Sequence, residues 1–405
     1  MSQWIEKALG EVTSYIAKGI TPKYSDNLTE NTMYVLNQKC NRNYIISYEP
    51  ARIHDLIKKK ISKEKLLKKG DVLINSTGQG TAGRVAQIWD IPYPTATDGH
   101  MITLRASQEI DKLYYGYAIK AHQNQIESLA EGSTGQTEIN RRRLLEEVVI
   151  RFPKEKDVQY KIAHILENID KKIAINKKIN RNLSEQAAAL YKSWFVDFEP
   201  FEGEKPDDWN DGTVDDLAAE IVCGKTPSTK KEEYYGEDVP FVTIPDMHGC
   251  IYTVRTERKL SVLGADSQSK KTLPKNSICV SCIGTAGLVV LLSEPSQTNQ
   301  QINSIVPKAN YSPYYIYLMM NTMAETINKL GQAGSTIVNL NKTQFGMMEV
   351  MIPSLSVMAD FDEIVEPMFK EILSNQIENI KLSNLRDSLL PKLMSGELAV
   401  SDLDI

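Results

Sequence analysis

Asp246, Glu257 and Lys259 are the residues of this 405-residue chain whose types and spacing come closest to a catalytic set. They lie in Pro-Asp followed by Glu-Arg-Lys, which has the form of the PD…(D/E)xK pattern of metal-dependent nucleases. In that pattern, carboxylates bind a metal ion that activates water for hydrolysis of a phosphodiester. Short matches of this kind are common and the first half of the chain has no equivalent, so a nuclease is kept only as an alternative.

Two other motifs depend on the element that carries them. Cys279 and Cys282 have the C-x-x-C spacing of zinc ligands, but the surrounding pattern predicts a strand, on which the two side chains point to opposite faces. Residues 78–83, Gly-Gln-Gly-Thr-Ala-Gly, have the form of a dinucleotide-binding loop, which needs a helix directly after it. Residues 84–89 are instead typical of a strand, so we expect a tight turn. Since the five histidines also lack the spacing of a triad, the sequence predicts no catalytic residue and no metal site.

The composition is typical of a globular protein with two or three domains. Hydrophobic residues make up 41% of the chain, and the five cysteines are too few and too scattered for a disulfide framework. The N-terminal residues lack the apolar segment of a signal peptide, and the most apolar stretch, 278–292, is too short for a membrane helix, so we expect a cytoplasmic protein. The net charge of −5 indicates that any nucleic-acid binding needs the help of partner subunits.

The chain contains an internal duplication with a period of about 200 residues. Each copy begins with short strand patterns separated by turns and continues into a long helical pattern. The repeated segments keep the same order in both copies: Gly-x-Thr-Pro at 19–22 and 224–227, Gly-Thr-Ala-Gly at 80–83 and 284–287, and Gly-Ser-Thr at 132–134 and 334–336.

Both helical patterns have a seam position every seven residues, which indicates coiled-coil packing. The positions are Ile162, Ile169, Asn176, Leu183 and Leu190 in the first copy, and Phe361, Met368, Asn375, Leu382 and Leu389 in the second. The central asparagine of each series would fix the register of the pairing, although a polar interruption of a surface helix is also compatible with it. We predict an α+β protein with a pseudo-twofold repeat, in which two similar domains are separated by two long antiparallel coiled-coil helices.

Residues able to contact DNA lie in the repeated turns and in a lysine-rich stretch, 58–69. These segments offer cations, hydroxyls and backbone amides, which are the groups that bind phosphates. The turns could equally serve only to shape the chain, and the lysines could form the solvated face of a helix. The candidate DNA-binding residues are Lys18, Gly19, Thr21, Lys58, Lys59, Gly80, Thr81, Arg84, Ser133, Thr134, Lys225, Thr226, Ser228, Gly284, Thr285, Ser335 and Thr336.

Two further segments, together with the repeated motifs, carry a resemblance to a known family. Residues 187–201 read Ala-Ala-Ala-Leu-Tyr-Lys-Ser-Trp-Phe-Val-Asp-Phe-Glu-Pro-Phe, and residues 389–398 read Leu-Leu-Pro-Lys-Leu-Met-Ser-Gly-Glu-Leu. With the repeated motifs, they resemble the specificity (S) subunits of type I restriction–modification systems. The resemblance covers essentially the whole chain.

The resemblance implies two target-recognition domains, 1–155 and 207–355, and two spacer helices, 156–200 and 356–399. Each domain would read one half of a split DNA target, and the spacers, including Trp194 and the seven-residue seams, would bind two methyltransferase (M) subunits and set the gap. The subunit would be non-catalytic and would direct adenine methylation by M and cleavage by restriction (R) subunits. This chain would hold no cofactor, because S-adenosylmethionine would bind to M, and ATP and magnesium to R. The two copies differ strongly outside their shared motifs, which favours unlike half-sites.

Two other classes of function stay open at this point. The first is a scaffold whose domains bind proteins and whose coiled coil dimerises. The second is the metal-dependent nuclease that uses Asp246, Glu257 and Lys259.

Overall fold

A computed structural model describes residues 3–132, 137–332 and 338–398 of the chain. The chain divides into two compact units, of which the first combines two separate segments and the second is one continuous segment. Unit 1 comprises Met1–Lys171 and Leu382–Ile405, and unit 2 comprises Lys172–Lys381. No helix in the described ranges is long and apolar enough to cross a membrane.

The described residues of unit 1 form fourteen strands, three short α-helices and parts of two long ones. The strands are β1 (Trp4–Ala8), β2 (Thr13–Lys18), β3 (Tyr24–Ser25), β4 (Thr32–Leu36), β5 (Asn41–Arg42), β6 (Ile45–Ile46), β7 (Arg52–Asp55), β8 (Val72–Asn75), β9 (Val85–Gln87), β10 (Thr95–Thr97), β11 (Met101–Ala106), β12 (Ala130–Glu131), β13 (Glu138–Ile139) and β14 (Val149–Pro153). The helices are α1 (Lys112–Ala121), α2 (Gln123–Ser128), α3 (Arg141–Glu147) and the first part of α4 (Lys156–Phe195).

Unit 2 has eleven strands in its described residues. Its strands are β15 (Asn210–Thr213), β16 (Ala218–Cys223), β17 (Tyr235–Gly236), β18 (Val239–Val242), β19 (Tyr252–Thr253), β20 (Arg258–Leu260), β21 (Ile278–Ser281), β22 (Val289–Leu292), β23 (Gln297–Thr298), β24 (Ile302–Pro307) and β25 (Glu349–Ile352). Its helices are α5 (Val214–Leu217), α6 (Val262–Asp266), α7 (Pro313–Thr322), α8 (Ala324–Gln332), α9 (Lys342–Gly346), the second part of α4 and the first part of α10 (Leu355–Ser395). Unit 1 takes the remainder of α10.

The duplication predicted from sequence extends to the topology of the sheets. Unit 1 has a sheet of order β2-β11-β8-β9, and unit 2 has the matching order β16-β24-β21-β22, to which β19 is added. A second sheet in each unit contains one parallel pair, β10 with β4 in unit 1 and β23 with β18 in unit 2. A third, two-stranded antiparallel sheet joins the first strand of each copy to the strand before its long helix, β1 with β14 and β15 with β25.

The long helices α4 and α10 contact each other in each unit. In unit 2, Asn176 Nδ2 donates to Glu378 Oε2 at 2.6 Å, and Asn375 Nδ2 donates to Asn180 Oδ1 at 3.0 Å. Residue numbers rise along one helix as they fall along the other, so the pair is antiparallel. Both central asparagines are buried and form hydrogen bonds across the helix pair. Residues that fix the register of two paired helices have this arrangement.

Each unit packs one end of a long helix against its own sheets. In unit 2, Phe195 near the end of α4 lies 4.8 Å from the Tyr315 ring and 4.9 Å from the Phe361 ring, so the aromatic run anchors the helix in the core. In unit 1 the same role falls to aliphatic residues near the end of α10, of which Leu393 is fully buried. There Gly396 also lies against Trp4, where a Cβ atom would come within 2.7 Å of the indole ring.

Candidate nucleic-acid interface

The Gly-x-Thr-Pro loops pack so closely on the turn before β11 or β24 that only glycine fits. A Cβ atom at Gly19 would lie 2.0 Å from the Asp98 carbonyl oxygen, and one at Gly224 would lie 2.2 Å from the Asn299 carbonyl oxygen. In both units, the glycine N–H and the N–H after it donate to backbone carbonyls of the domain itself. These amides are therefore not free to bind phosphate, and the interpretation of the glycines as turn-shaping residues is the one that the geometry supports.

Lysine side chains donate hydrogen bonds to backbone carbonyls of the same loops. Lys65 Nζ donates to the Lys18 carbonyl oxygen at 2.6 Å, and Lys271 Nζ donates to the Cys223 carbonyl oxygen at 2.8 Å. The acceptor is in each case the residue just before the loop glycine, so the contact is repeated in the two copies. Lys59 Nζ also donates to the Thr21 carbonyl oxygen at 3.0 Å. This repeated lysine contact has no counterpart among the residues predicted from the sequence.

The lysine-rich stretch does not form the solvated helix considered from the sequence. Its one regular element is a 3₁₀ turn, Lys63–Lys65, and the remainder is turn and extended chain. Two of its lysines, Lys59 and Lys65, donate to backbone carbonyls of the neighbouring loop. Lys58 remains largely exposed, with an ion pair to Asp55 at 3.4 Å.

The Gly-Thr-Ala-Gly segments are the tight turns of β-hairpins. In unit 1 the turn joins β8 to β9, and in unit 2 it joins β21 to β22, so no helix follows and a dinucleotide loop is excluded, as predicted. Gly80, Gly83, Gly284 and Gly287 all have positive φ, which favours glycine. Arg84 Nη2 donates back to the Gly80 carbonyl oxygen at 3.0 Å.

The repeated motifs, which are far apart in sequence, converge in each unit. In unit 1, Gly19 packs on the turn that joins β10 to β11, and Thr77 of the β8–β9 hairpin lies 2.9 Å, Oγ1 to Nδ1, from His100 of the same turn. In unit 2, Thr226 Oγ1 donates to Gln300 Oε1 at 2.6 Å, and the space beside Gly284 is bordered by Gln301. A polar pocket of about 710 Å³ opens beside this point in unit 1, with Arg52 among its lining residues.

The structure therefore groups most of the predicted DNA-binding residues around the two turns. Lys18, Gly19, Thr21 and Lys59 form one cluster through the loop contacts, and Lys225 and Thr226 form its counterpart. The hairpins contribute Gly80, Thr81 and Arg84 in unit 1 and Gly284 and Thr285 in unit 2, while Ser228 is exposed. Ser133, Thr134, Ser335 and Thr336 lie outside the described residues.

The turns themselves, residues 98–100 and 299–301, were not among the predicted site residues. A signal for them exists in the sequence, because Thr-Asp-Gly-His at 97–100 and Thr-Asn-Gln-Gln at 298–301 follow equivalent short strands at the period of the repeat. One shared threonine is too weak a match to find without the strand positions.

The nuclease-like residues have structural partners. Asp246 Oδ2 accepts from the Thr243 N–H at 2.8 Å, and its Oδ1 accepts from the Glu257 N–H at 2.7 Å, so the carboxylate caps a turn. Lys259 Nζ is directed to the Glu237 carbonyl oxygen at 3.4 Å. No group of three potential metal-ligating residues occurs in the part of the chain that the structure describes.

The two cysteines of the C-x-x-C motif point to opposite faces of the sheet, as predicted. Cys279 belongs to one buried apolar cluster of unit 2 and Cys282 to another. Burial raises the pKa of each thiol to about 12. They therefore cannot ligate one zinc ion together, and neither is a reactive thiolate near neutral pH.

The seven-residue seams are directed into the chain itself. Ile162 and Phe361 are buried in the cores of unit 1 and unit 2, and Asn176 and Asn375 are buried between the two helices, so these four residues offer no surface to another subunit. Trp194 and the remaining seam residues are half-buried; those seam residues are Ile169, Leu183, Leu190, Met368, Leu382 and Leu389. The exposed aliphatic residues on the unit 2 parts of the helices lie off the seam: Ile175, Ile179, Leu355, Ile364 and Ile377.

Comparisons with known proteins agree on one family. A family model described as the type I restriction modification DNA specificity domain matches residues 1–185 and 206–384. The chain is 31% identical to the type I restriction enzyme HindI specificity subunit of Haemophilus influenzae, over 98% of this chain and 100% of that protein. It is 26% identical to the MjaIX specificity subunit of Methanocaldococcus jannaschii, over 84% of this chain and 80% of that protein. The crystal structure of the type I S subunit from M. genitalium has the same fold, with a TM-score of 0.62 at 18% identity, covering 97% of this chain and 96% of that one.

Proposed function

This chain belongs to the family of type I restriction–modification specificity subunits, and we propose that residues 1–155 and 207–355 each read one half of a bipartite DNA target. A specificity subunit recognises DNA within a larger complex and is not itself the enzyme. The protein-scaffold and nuclease alternatives have no support among its relatives.

One observation carries the assignment of the DNA-reading face. In each unit, the Gly-x-Thr-Pro loop, the Gly-Thr-Ala-Gly hairpin and the turn before the central strand meet at one edge of the domain. Lys39 and Arg52 are exposed beside this edge in unit 1 and form no ion pair with the residues that the structure describes. Free cations beside exposed polar side chains are what a protein needs to position itself on phosphates and read base edges.

The spacers, 156–200 and 356–399, are the proposed binding site for two methyltransferase subunits. Because the seam is occupied by internal packing, we assign the contact to the outer faces of α4 and α10. Ile175 and Ile179 are 54% and 38% exposed and lie one turn apart on α4. S-adenosylmethionine would then bind to the M subunits, and ATP and magnesium would bind to the R subunits.

The proposal is tested by co-expressing the chain with its M subunit and mapping methylated adenines across a genome. We expect a motif of two unlike half-sites separated by a gap of fixed length, and no methylation from either subunit alone. A continuous palindromic motif, or methylation that is unchanged when this chain is omitted, would contradict the proposal.

A further inference from the structure

The backbone N–H groups in and around the turns 98–100 and 299–301 form equivalent hydrogen bonds. His100 N–H donates to Asp98 Oδ1 at 2.9 Å, and Gln301 N–H donates to Asn299 Oδ1 at 3.1 Å. Each turn also receives the loop before it, through Ile20 N–H to the Thr97 carbonyl at 2.8 Å and Lys225 N–H to the Thr298 carbonyl at 2.9 Å. Aspartate and asparagine form the same side-chain turn, so the backbone is kept while the functional groups change.

The side chains that these two backbones present differ in chemistry. In unit 1, Gln38 Nε2 donates to Thr77 Oγ1 at 2.6 Å, and Thr77 Oγ1 lies 2.9 Å from His100 Nδ1. In unit 2, the place of Thr77 is taken by Ile283, because Thr77 pairs with Glu138 as Ile283 pairs with Asn339. A polar relay in one domain is therefore interrupted by an aliphatic residue in the other.

The relay in unit 1 defines which atom of His100 is free to bind. The Thr77 hydroxyl accepts from Gln38 and its Oγ1 lies within hydrogen-bond distance of His100 Nδ1, so Nδ1 is the ring nitrogen that the relay engages. The other ring nitrogen, Nε2, lies outside the relay and is the atom through which His100 can hydrogen-bond to a base edge in the major groove. The His100 side chain is exposed, so this nitrogen is accessible.

In unit 2 the corresponding groups are amides. Gln301 Oε1 accepts from Asn299 Nδ2 at 3.0 Å, and Gln300 Oε1 accepts from Thr226 at 2.6 Å. Each glutamine keeps its NH₂ donors and one free lone pair on oxygen, which is the combination that matches N6 and N7 of adenine. The neighbours hold the amides in a defined orientation before any DNA is bound.

We propose that these two turns determine the specificity of the two half-sites, with His100 reading a base in the first and Gln300 and Gln301 reading bases in the second. The inference rests on the proposed function. The loops and hairpins that the two domains share hold the turns in place, and the three turn residues supply the difference between the targets.

Single substitutions test each turn separately. We expect His100→Ala to relax the preference at one position of the first half-site by about tenfold to a hundredfold, the effect of losing a specific base contact, and to leave the second half-site unchanged. Gln301→Ala should do the reverse. Gln108→Ala, an exposed glutamine outside the turns, is the control and should retain the wild-type motif.

A transplant tests the turn as a module. Asp98→Asn, Gly99→Gln and His100→Gln together place the unit 2 residues in the unit 1 turn. Gly99 tolerates a side chain, since its φ is not positive and the nearest atom to an added Cβ is the Ile20 carbonyl oxygen at 3.7 Å. We expect the triple variant to methylate a motif with an altered first half and an unaltered second half.

The outcomes separate this inference from the function on which it rests. Wild-type complex that methylates no bipartite motif would refute the proposed function and the inference with it. Wild-type complex with a bipartite motif, together with turn variants whose motif is unchanged, would refute the inference alone. Uniformly weaker methylation of an unchanged motif would also refute it, because it would show a role in folding or affinity and not in base reading.

Discussion

Replacement of Asp170 by leucine is expected to destabilise unit 1 through the cations that it leaves behind. Asp170 accepts from Tyr117 Oη at 2.7 Å and from Arg386 Nη1 at 2.7 Å, and Lys120 Nζ lies 3.9 Å from it. The Lys120 and Arg386 side chains are only 11% and 16% exposed. Without Asp170, Lys120 loses its ion-pair partner, and Arg386 keeps only Asp387, whose side chain is 61% exposed.

The magnitude follows from this burial. Breaking a buried ion pair by removing one partner costs about 3–5 kcal/mol, and we take about 2–3 kcal/mol here because Asp170 is 25% exposed. For a unit of this size, that loss corresponds to a fall in Tm of about 4–12 °C. The assay is thermal unfolding of the Asp170→Leu chain, followed by circular dichroism.

The double variant Asp170→Leu/Arg386→Leu should recover most of the loss. Only Lys120 is then unpaired, and burial already lowers its pKa to about 8, so it can give up its proton at small cost. The second copy shows that apolar residues fit this place, since Phe369 and Ala187 stand at the corresponding positions and both are buried. If the double variant loses as much stability as the two single variants added together, the reasoning is wrong.

Two further predictions concern stability. Gly19→Ala should lower the free energy of unfolding by more than about 2 kcal/mol, because its Cβ would lie 2.0 Å from the Asp98 carbonyl oxygen. Gly99→Ala is the control and should change the free energy of unfolding by less than about 0.5 kcal/mol. Equal effects of the two substitutions in urea unfolding would contradict this prediction. Burial raises the pKa of Asp362 to about 6, so from pH 4 to pH 6 the unfolded chain loses this proton first and the free energy of unfolding falls as pH rises. Asp362→Asn should remove that part of the pH dependence, and an unchanged difference between Tm at pH 4 and pH 6 would count against it.

Features with a regular period could be predicted from the sequence. The seven-residue seams identified both long helices, and the central asparagines Asn176 and Asn375 do bond across the helix pair. The duplicated glycine motifs identified equivalent turns, because a glycine required by geometry is required in both copies. These predictions succeeded since the physical cause repeats along the chain.

Contacts between distant segments could not be predicted. Lys65 and Lys271 hold equivalent carbonyls, but each contact joins residues nearly fifty positions apart and neither leaves a local pattern. For the same reason, the lysine-rich stretch suggested a helix face, whereas it forms no α-helix and Lys59 and Lys65 donate to a neighbouring loop. His100 was set aside because it has no triad spacing, although its surroundings are assembled by Gln38 and Thr77 from two other elements.

The discontinuous make-up of unit 1 has a consequence for biosynthesis. Its fold needs both Met1–Lys171 and Leu382–Ile405, and Gly396 rests directly on Trp4. A nascent chain can complete unit 2 while it is still attached to the ribosome, but unit 1 must wait for the final helical turns to emerge. A message truncated before Leu382 would therefore yield a polypeptide in which unit 2 can fold and unit 1 cannot. The incomplete unit would be the one whose first segment was translated first.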